Sequence, residues 1–309
     1  MSDAEPGTSV PRPRPRWTRI LVAVLVAVAI IVLVVLFARS ITARLGAARK
    51  IDRATVIAKK VDGDVVAIDQ AVRSPIDEQS AETKALAAKR IARARAQLEQ
   101  VVALSNEAYG ALNDDEREQA LMLRATADAR LQMLALAQPI LAADAQAAAA
   151  AKDLTSGWDH LVAAKGLSKD AAAQYNKLTK PAVTQSNRLL AQVRSRLSSA
   201  SADFEAAGEA FPSLDAKAYL TYIATLRQLN SLAIQSNKAW LKGQTAQANV
   251  FTTRYNILEK QALEQATALP ASPNKAIADA YDEATSRDLQ EYVVARKKAT
   301  QADTKLRER

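Results

Sequence analysis

The apolar residues of this chain are spaced as they are on α-helices over almost its whole length. After residue 50 they recur at alternating intervals of three and four, which places them on one helix face. The first two seams of this kind contain Ile51, Ala54, Ala58, Val61, Val65, Ile68 and Val72, and then Ala87, Ile91, Ala94, Leu98, Val101, Ser105, Ala108 and Leu112. A third contains Tyr219, Tyr222, Leu226, Leu229, Ala233, Ser236 and Trp240. The pattern predicts an all-α protein.

Proline and glycine divide this pattern into separate helices, because proline lacks the backbone N–H and glycine favours helix ends. We expect a kink or restart at Pro139 and a broken stretch over 153–180, where Gly157 and Gly166 interrupt the pattern. A last, more polar helix over 274–305 is expected to lie on the outside. Long helices joined by short turns predict an antiparallel helical bundle. The alternative is a short α-solenoid of helical hairpins.

One segment near the N-terminus differs from the rest because it is apolar on every face. Ile20–Ala38 contains 19 consecutive apolar residues and no charge. A helix that crosses the hydrocarbon core needs about 20 such residues, whereas the apolar region of a cleaved signal peptide has about 7–15. We therefore predict a single transmembrane helix, an uncleaved signal anchor, over residues 19–39. The residues expected at the membrane interface are Arg16, Trp17, Arg19 and Arg39.

This helix divides the chain into four predicted segments. Residues 1–18 form a disordered tail rich in proline and arginine, which could also be a ligand for an aromatic-groove domain. Residues 19–39 span the plasma membrane, 40–74 form a juxtamembrane heptad helix, and 75–309 form an extracytoplasmic helical domain. A short arginine-rich tail resists translocation, whereas a long domain crosses largely regardless of charge. We therefore expect the N-terminus to be cytoplasmic.

The position of the charge argues against a nucleic-acid partner. The formal net charge is +9, but residues 1–62 carry +7 of it and residues 63–309 only +2. A nucleic-acid binder concentrates lysine and arginine on its folded domain. Here the surplus surrounds the apolar segment, where basic side chains meet anionic lipid. The lipid bilayer is therefore the partner that the charge predicts.

The sequence contains no pattern that indicates catalysis, a metal or a cofactor. It has no cysteine and a single histidine, His160, and it matches no common nucleotide-binding or hydrolase motif. His160 could pair with Asp159 or Asp153, but a lone histidine between helices is typical of a satisfied polar residue. We expect a protein that is not an enzyme and binds no cofactor.

Half of the aromatic residues lie between 204 and 255, and this clustering has two interpretations. They are either core residues or part of a partner or ligand contact, for which Tyr219, Tyr222 and Trp240 are the candidates.

We expect a single-pass, membrane-anchored interaction or scaffold module at the envelope of a bacterial cell. Its partner would be an unknown protein, or a second copy bound through the heptad helices. The alternative is an extracytoplasmic ligand-binding or sensory bundle that signals through a partner.

Overall fold

The computed structural model describes residues 16–75 and 78–308, which form seven helices and no strand. The helices are α1 (Arg16–Arg73), α2 (Glu78–Tyr109), α3 (Asp114–Tyr175), α4 (Lys180–Ala210), α5 (Ala216–Leu241), α6 (Thr245–Ala268) and α7 (Pro273–Arg307). The prediction of an all-α protein is confirmed for these residues. Most of the predicted disordered tail, residues 1–15, lies outside the described residues.

Helix α3 is a single helix of 62 residues, which contradicts the predicted break over 153–180. It begins at a capping box, in which the Asn113 side chain accepts from the Glu116 N–H and the Glu116 carboxylate accepts from the Asn113 N–H. It then continues through Pro139, Gly157 and Gly166. A helical glycine costs about 1 kcal/mol relative to alanine. Packing of α4 and α7 along α3 outweighs that cost.

The first core lies between α1 after residue 46, α2, the first half of α3 and the end of α7. Every apolar residue of the first two predicted seams is buried in it, and Ser105 of the second seam is buried as well. Ion pairs join Lys50 to Glu107 at 2.7 Å and Asp64 to Arg93 at 2.7 Å, so α1 and α2 run antiparallel. The predicted juxtamembrane helix 40–74 therefore packs into the body of the protein.

Polar contacts of two buried side chains, Arg130 and Tyr292, fix α7 against α1 and α3. The Arg130 guanidinium on α3 contacts Asp62 of α1 at 2.6 Å and Asp303 of α7 at 3.0 Å. The Tyr292 hydroxyl of α7 donates a hydrogen bond to Asp69 of α1 at 2.9 Å. These contacts attach one face of α7 to α1 and α3, while most of its residues are exposed to solvent.

The second core contains the rest of α3, helices α4 to α6 and the start of α7. Phe204 of α4 stacks on Tyr219 of α5 with ring centroids 4.6 Å apart, and Trp158 of α3 meets Tyr219 edge-on at 6.4 Å. A β-carbon added at Gly157 would lie 2.9 Å from the Phe204 ring. The glycine that was expected to break α3 therefore allows α4 to approach it.

Both cores share α3 and α7, which run antiparallel along one another. In a solenoid each hairpin contacts its sequence neighbours alone, whereas α7 packs on α3 across three intervening helices. The described helices therefore form a helical bundle.

Where the cores meet, Lys84 of α2 and Asp144 of α3 form a buried ion pair at 3.1 Å. Burial raises the pKa of Asp144, and burial beside this carboxylate raises the pKa of Tyr281 on α7.

The two glycines of α3 predict opposite effects of the same substitution. Gly166→Ala should raise the free energy of unfolding by about 0.5–1 kcal/mol, because no atom outside the helix lies near the added β-carbon. Gly157→Ala should lower it by about 1–3 kcal/mol, because Phe204 must move. Urea unfolding followed by circular dichroism at 222 nm measures both. Equal stabilisation by the two substitutions would contradict the close approach of α3 and α4.

Candidate functional site

A cavity of about 570 Å³ lies between helices α3, α4, α5 and α6. This volume is within the range of about 300–1,000 Å³ that small-molecule sites occupy. Its walls are mainly aliphatic and aromatic, and they include Leu190, Val193, Leu197, Tyr222 and Leu226. Helix α6 packs chiefly against α5 and buries few of its own side chains. The space between the four helices is therefore not filled by side chains, and this space is the cavity.

One end of the cavity is polar, and its polar side chains bond to each other. Ser236 on α5 lies 3.1 Å from the Thr252 hydroxyl on α6. The Asn237 amide on α5 donates to Ser186 and Asn187 of α4, each at 3.0 Å. This end lies where α3 and α5 finish and α4 and α6 begin. The network joins α4, α5 and α6 and satisfies the groups that form it.

Asn230 lies on the cavity wall outside this network. Its residue is 7% exposed, and its side-chain oxygen accepts no hydrogen bond from any described residue. A buried acceptor without a partner costs about 1–3 kcal/mol. This oxygen is enclosed by protein atoms and does not face the open space of the cavity.

The cavity opens along α6. Asn256 and Glu259 of this helix line the cavity and are also exposed to solvent. On the facing side, the Lys165 ammonium of α3 lies 5.3 Å from the centre of the Tyr222 ring, within the range of a cation–π contact. Burial, together with the neighbouring Glu259 carboxylate, raises the pKa of Tyr255 on α6. The charged groups that line the cavity thus lie at its rim.

The structure separates the three aromatic residues that the sequence singled out. Tyr222 is buried and lines the cavity. Tyr219 is 1% exposed and belongs to the second core, where burial raises the pKa of its hydroxyl to about 12. Trp240 is half-buried and lies outside the residues that line the cavity. The prediction of a contact site at these residues stays a prediction, for which Tyr222 is the best-placed candidate.

Sequence reasoning missed Asn230, Asn237 and Ser186, although a signal for the first two was present. Both asparagines lie on the α5 face that carries the third apolar seam, and Asn237 follows directly after Ser236 of that seam. Polar side chains on an otherwise apolar helix face indicate either a buried network or a binding site. Ser186 gives no such signal, because its role depends on how α4 meets α5.

The apolar segment near the N-terminus is the first part of α1. Two helices are long and apolar enough to cross a membrane, one in α1 from Ile31 and the other α3. The apolar window of α3 is 44% buried within the bundle, whereas that of α1 is 7% buried. Arg39 is exposed on α1, and the side chains of the other expected interface residues, Arg16, Trp17 and Arg19, lie outside the described residues. The start of α1 is therefore the better candidate for a membrane span.

The described residues contain no group of three or more acidic or histidine side chains that could hold a metal ion. His160 does not pair with Asp159 or Asp153. Its ring instead lies 3.1 Å from Arg196 and 3.7 Å from Asp203, both on α4. These contacts join α3 to α4.

Comparison with known proteins gives no relative for this chain: no family model matches it, and no curated protein or solved structure is significantly similar. Its function is therefore inferred from its own residues.

Tyr219 and Tyr292 predict different effects of removing a hydroxyl. The buried Tyr219 hydroxyl has no partner among the described residues, so Tyr219→Phe should leave the free energy of unfolding unchanged or raise it by up to about 1 kcal/mol. Tyr292→Phe removes the bond to Asp69 and should lower it by about 1–3 kcal/mol. Urea unfolding measures the difference. An equal loss in both variants would show that the Tyr219 hydroxyl is hydrogen-bonded.

Proposed function

We propose that this chain is a single-pass, membrane-anchored helical protein without catalytic activity, which acts as an interaction or scaffold module at the bacterial cell envelope. The observation that carries the proposal is the change in burial along α1. Val28 and the five residues 31–35 are exposed although they are apolar, whereas the apolar seam after residue 46 is buried in the first core.

The exposed part of α1 has the properties of a lipid-facing helix. Exposed apolar side chains follow one another at residues 31–35, so an apolar band surrounds the helix. Burying such a band in hydrocarbon stabilises the inserted helix by about 25 cal/mol for each Å² of apolar surface removed from water. The basic residues on either side of the segment are suited to the two membrane interfaces.

The same helix would hold the body at a fixed position relative to the membrane. Helix α1 continues without interruption from the apolar segment into the first core, where it packs on α2 and α3. The body would then be attached through a helix and not through a flexible linker. We place the body outside the cytoplasm and the N-terminus inside, because the short arginine-rich N-terminal tail resists translocation.

A second candidate function is supported by the cavity. An extracytoplasmic bundle that binds a small molecule and acts through a partner needs a concave, mainly apolar site with a few polar groups. The space between α3, α4, α5 and α6 has this character. The heptad seams, in contrast, are covered within one chain, so self-association is not needed to bury them.

The anchor proposal predicts that charges in the apolar segment release the protein from membranes. The triple substitution Val28→Arg, Ile31→Arg and Val35→Arg should oppose insertion by up to about 8–10 kcal/mol, because each arginine costs about 2.5–3.5 kcal/mol at the centre of the hydrocarbon. The wild-type chain should stay in the bacterial membrane pellet after alkaline carbonate extraction, and the triple variant should not.

The matched control places three arginines at exposed valines of the body, Val56, Val66 and Val162, and should stay in the pellet. Protease added to intact spheroplasts should digest the body of the wild-type chain. Release of the wild-type chain by carbonate, or removal of the apolar segment by the cell before any protease is added, would contradict the proposed anchor. Protection of the body from added protease would contradict the proposed orientation.

A further inference from the structure

We propose that the cavity between α3, α4, α5 and α6 binds the extended hydrocarbon chain of a free, single-chain anionic amphiphile, such as a long-chain fatty acid, and that Lys165 pairs with its head group. This inference rests on the second candidate function, in which the bundle binds a ligand. The length of the cavity, its apolar walls and the charge at one end each restrict the ligand.

The cavity is long and narrow because it follows the axes of the four helices. Its lining residues span 164–175 on α3, 186–197 on α4, 222–237 on α5 and 252–266 on α6. At about 1.5 Å per residue, these spans are about 17–22 Å long. An extended chain of about 16 carbons is about 20 Å long, because each bond of about 1.5 Å advances it by about 1.25 Å. The cavity therefore matches one such chain in length.

The walls between the two ends of the cavity offer apolar contact along one open side. Leu190, Val193 and Leu226 line the space from α4 and α5. Leu263 of α6 also lines it, although 67% of this residue is exposed. A hydrocarbon chain laid along the open side would cover Leu263, and burial of its methylene groups would provide most of the affinity.

The charged groups define which end of the cavity takes the head group. The Lys165 ammonium lies at one end, over the Tyr222 ring, and has no carboxylate partner among the described residues. Ser236 of α5 is level with Thr252 of α6, and α6 runs antiparallel to α5, so Glu259 lies about 10 Å along the helix axes from this end. At the opposite end, the polar side chains already bond to each other. A negatively charged head group is therefore best paired at Lys165.

The position of the cavity decides between a free amphiphile and a lipid of the bilayer. Glu116 at the start of α3 contacts Arg44 of α1 at 3.7 Å, just after the apolar segment. Lys165 lies about 70 Å further along α3. If α1 anchors the chain as proposed, a lipid whose head group stays in the bilayer cannot reach this site. The hydrocarbon chain therefore belongs to an amphiphile that has left the membrane.

The test applies photoreactive probes to the full chain in lipid nanodiscs, at a mildly alkaline pH that keeps a fatty acid ionised. The probes are a palmitic acid analogue with a diazirine in the middle of its chain, the alcohol with the same chain, and a phosphatidylglycerol that carries the same chain. Mass spectrometry locates the labelled peptides after irradiation. We expect saturable labelling of residues 186–197 and 222–237 by the acid, suppressed by excess palmitic acid, and no labelling there by the phospholipid.

Two pairs of variants separate the site from general effects on folding. Ala233→Phe places a ring in the cavity and should raise the acid concentration for half-maximal labelling of 186–197 at least tenfold, whereas Ala224→Phe, at an exposed position, should not. Lys165→Gln should raise this concentration about two- to fivefold for the acid and leave it unchanged for the alcohol, because only the acid loses an ion pair. Lys169→Gln, which is exposed outside the cavity lining, should change neither.

Circular dichroism at 222 nm confirms that each variant is folded before it is labelled. Absence of saturable labelling by the acid, labelling of the cavity by the phospholipid, unchanged acid labelling in Ala233→Phe or Lys165→Gln, or an equal effect of Lys165→Gln on acid and alcohol would overturn the proposal. Saturable labelling by the alcohol alone would overturn it and still support a ligand-binding bundle, whereas labelling by neither probe would contradict both. The anchor is judged separately, by carbonate extraction.

Discussion

The continuity of α3 is the constraint on which the rest of the structure depends. A helix of 62 residues is about 93 Å long and cannot bury its apolar face by itself. Helices α1 and α2 cover its first half, α4 covers its second half, and α7 runs back along both. The two cores are therefore attached to one rigid element. The capping box at Asn113 sets where this helix begins, and the close approach at Gly157 sets how near α4 can pack.

The same element connects the two features that carry the functional proposals. The apolar start of α1 leads into the first core, and the cavity lies beside the far end of α3. Arg130 joins α1, α3 and α7 through Asp62 and Asp303, while the Lys84–Asp144 pair joins α2 to α3 where the two cores meet. A buried charge that loses its partner is costly, so these pairs restrict how the helices can slide past one another. If α1 anchors the chain as proposed, the cavity would be held at a fixed distance from the membrane.

Much of the fold could be predicted from the sequence, because a helix with one buried face repeats its apolar residues at a fixed spacing. The seams beginning at Ile51 and Ala87 are buried at every predicted position. The break expected near Gly157 was wrong, because glycine is only a local preference, and the sequence does not show that a phenylalanine ring packs against this residue. The cavity could not be predicted either. It results from how far α6 stands from its neighbours, and Asn230 differs from a satisfied core asparagine only in what surrounds it.

The most direct test of this architecture is the length of α3 across its proline and both glycines. The chain has no cysteine, so Gln132→Cys and Lys169→Cys place two spin labels at exposed positions of this helix and nowhere else. An unbroken helix predicts a single narrow distance distribution, measured by double electron–electron resonance in nanodiscs, with its maximum at about 55 Å. A maximum well below this value, or two separate populations, would show that α3 is broken near Gly157 or Gly166 and that the two cores are not held by one helix.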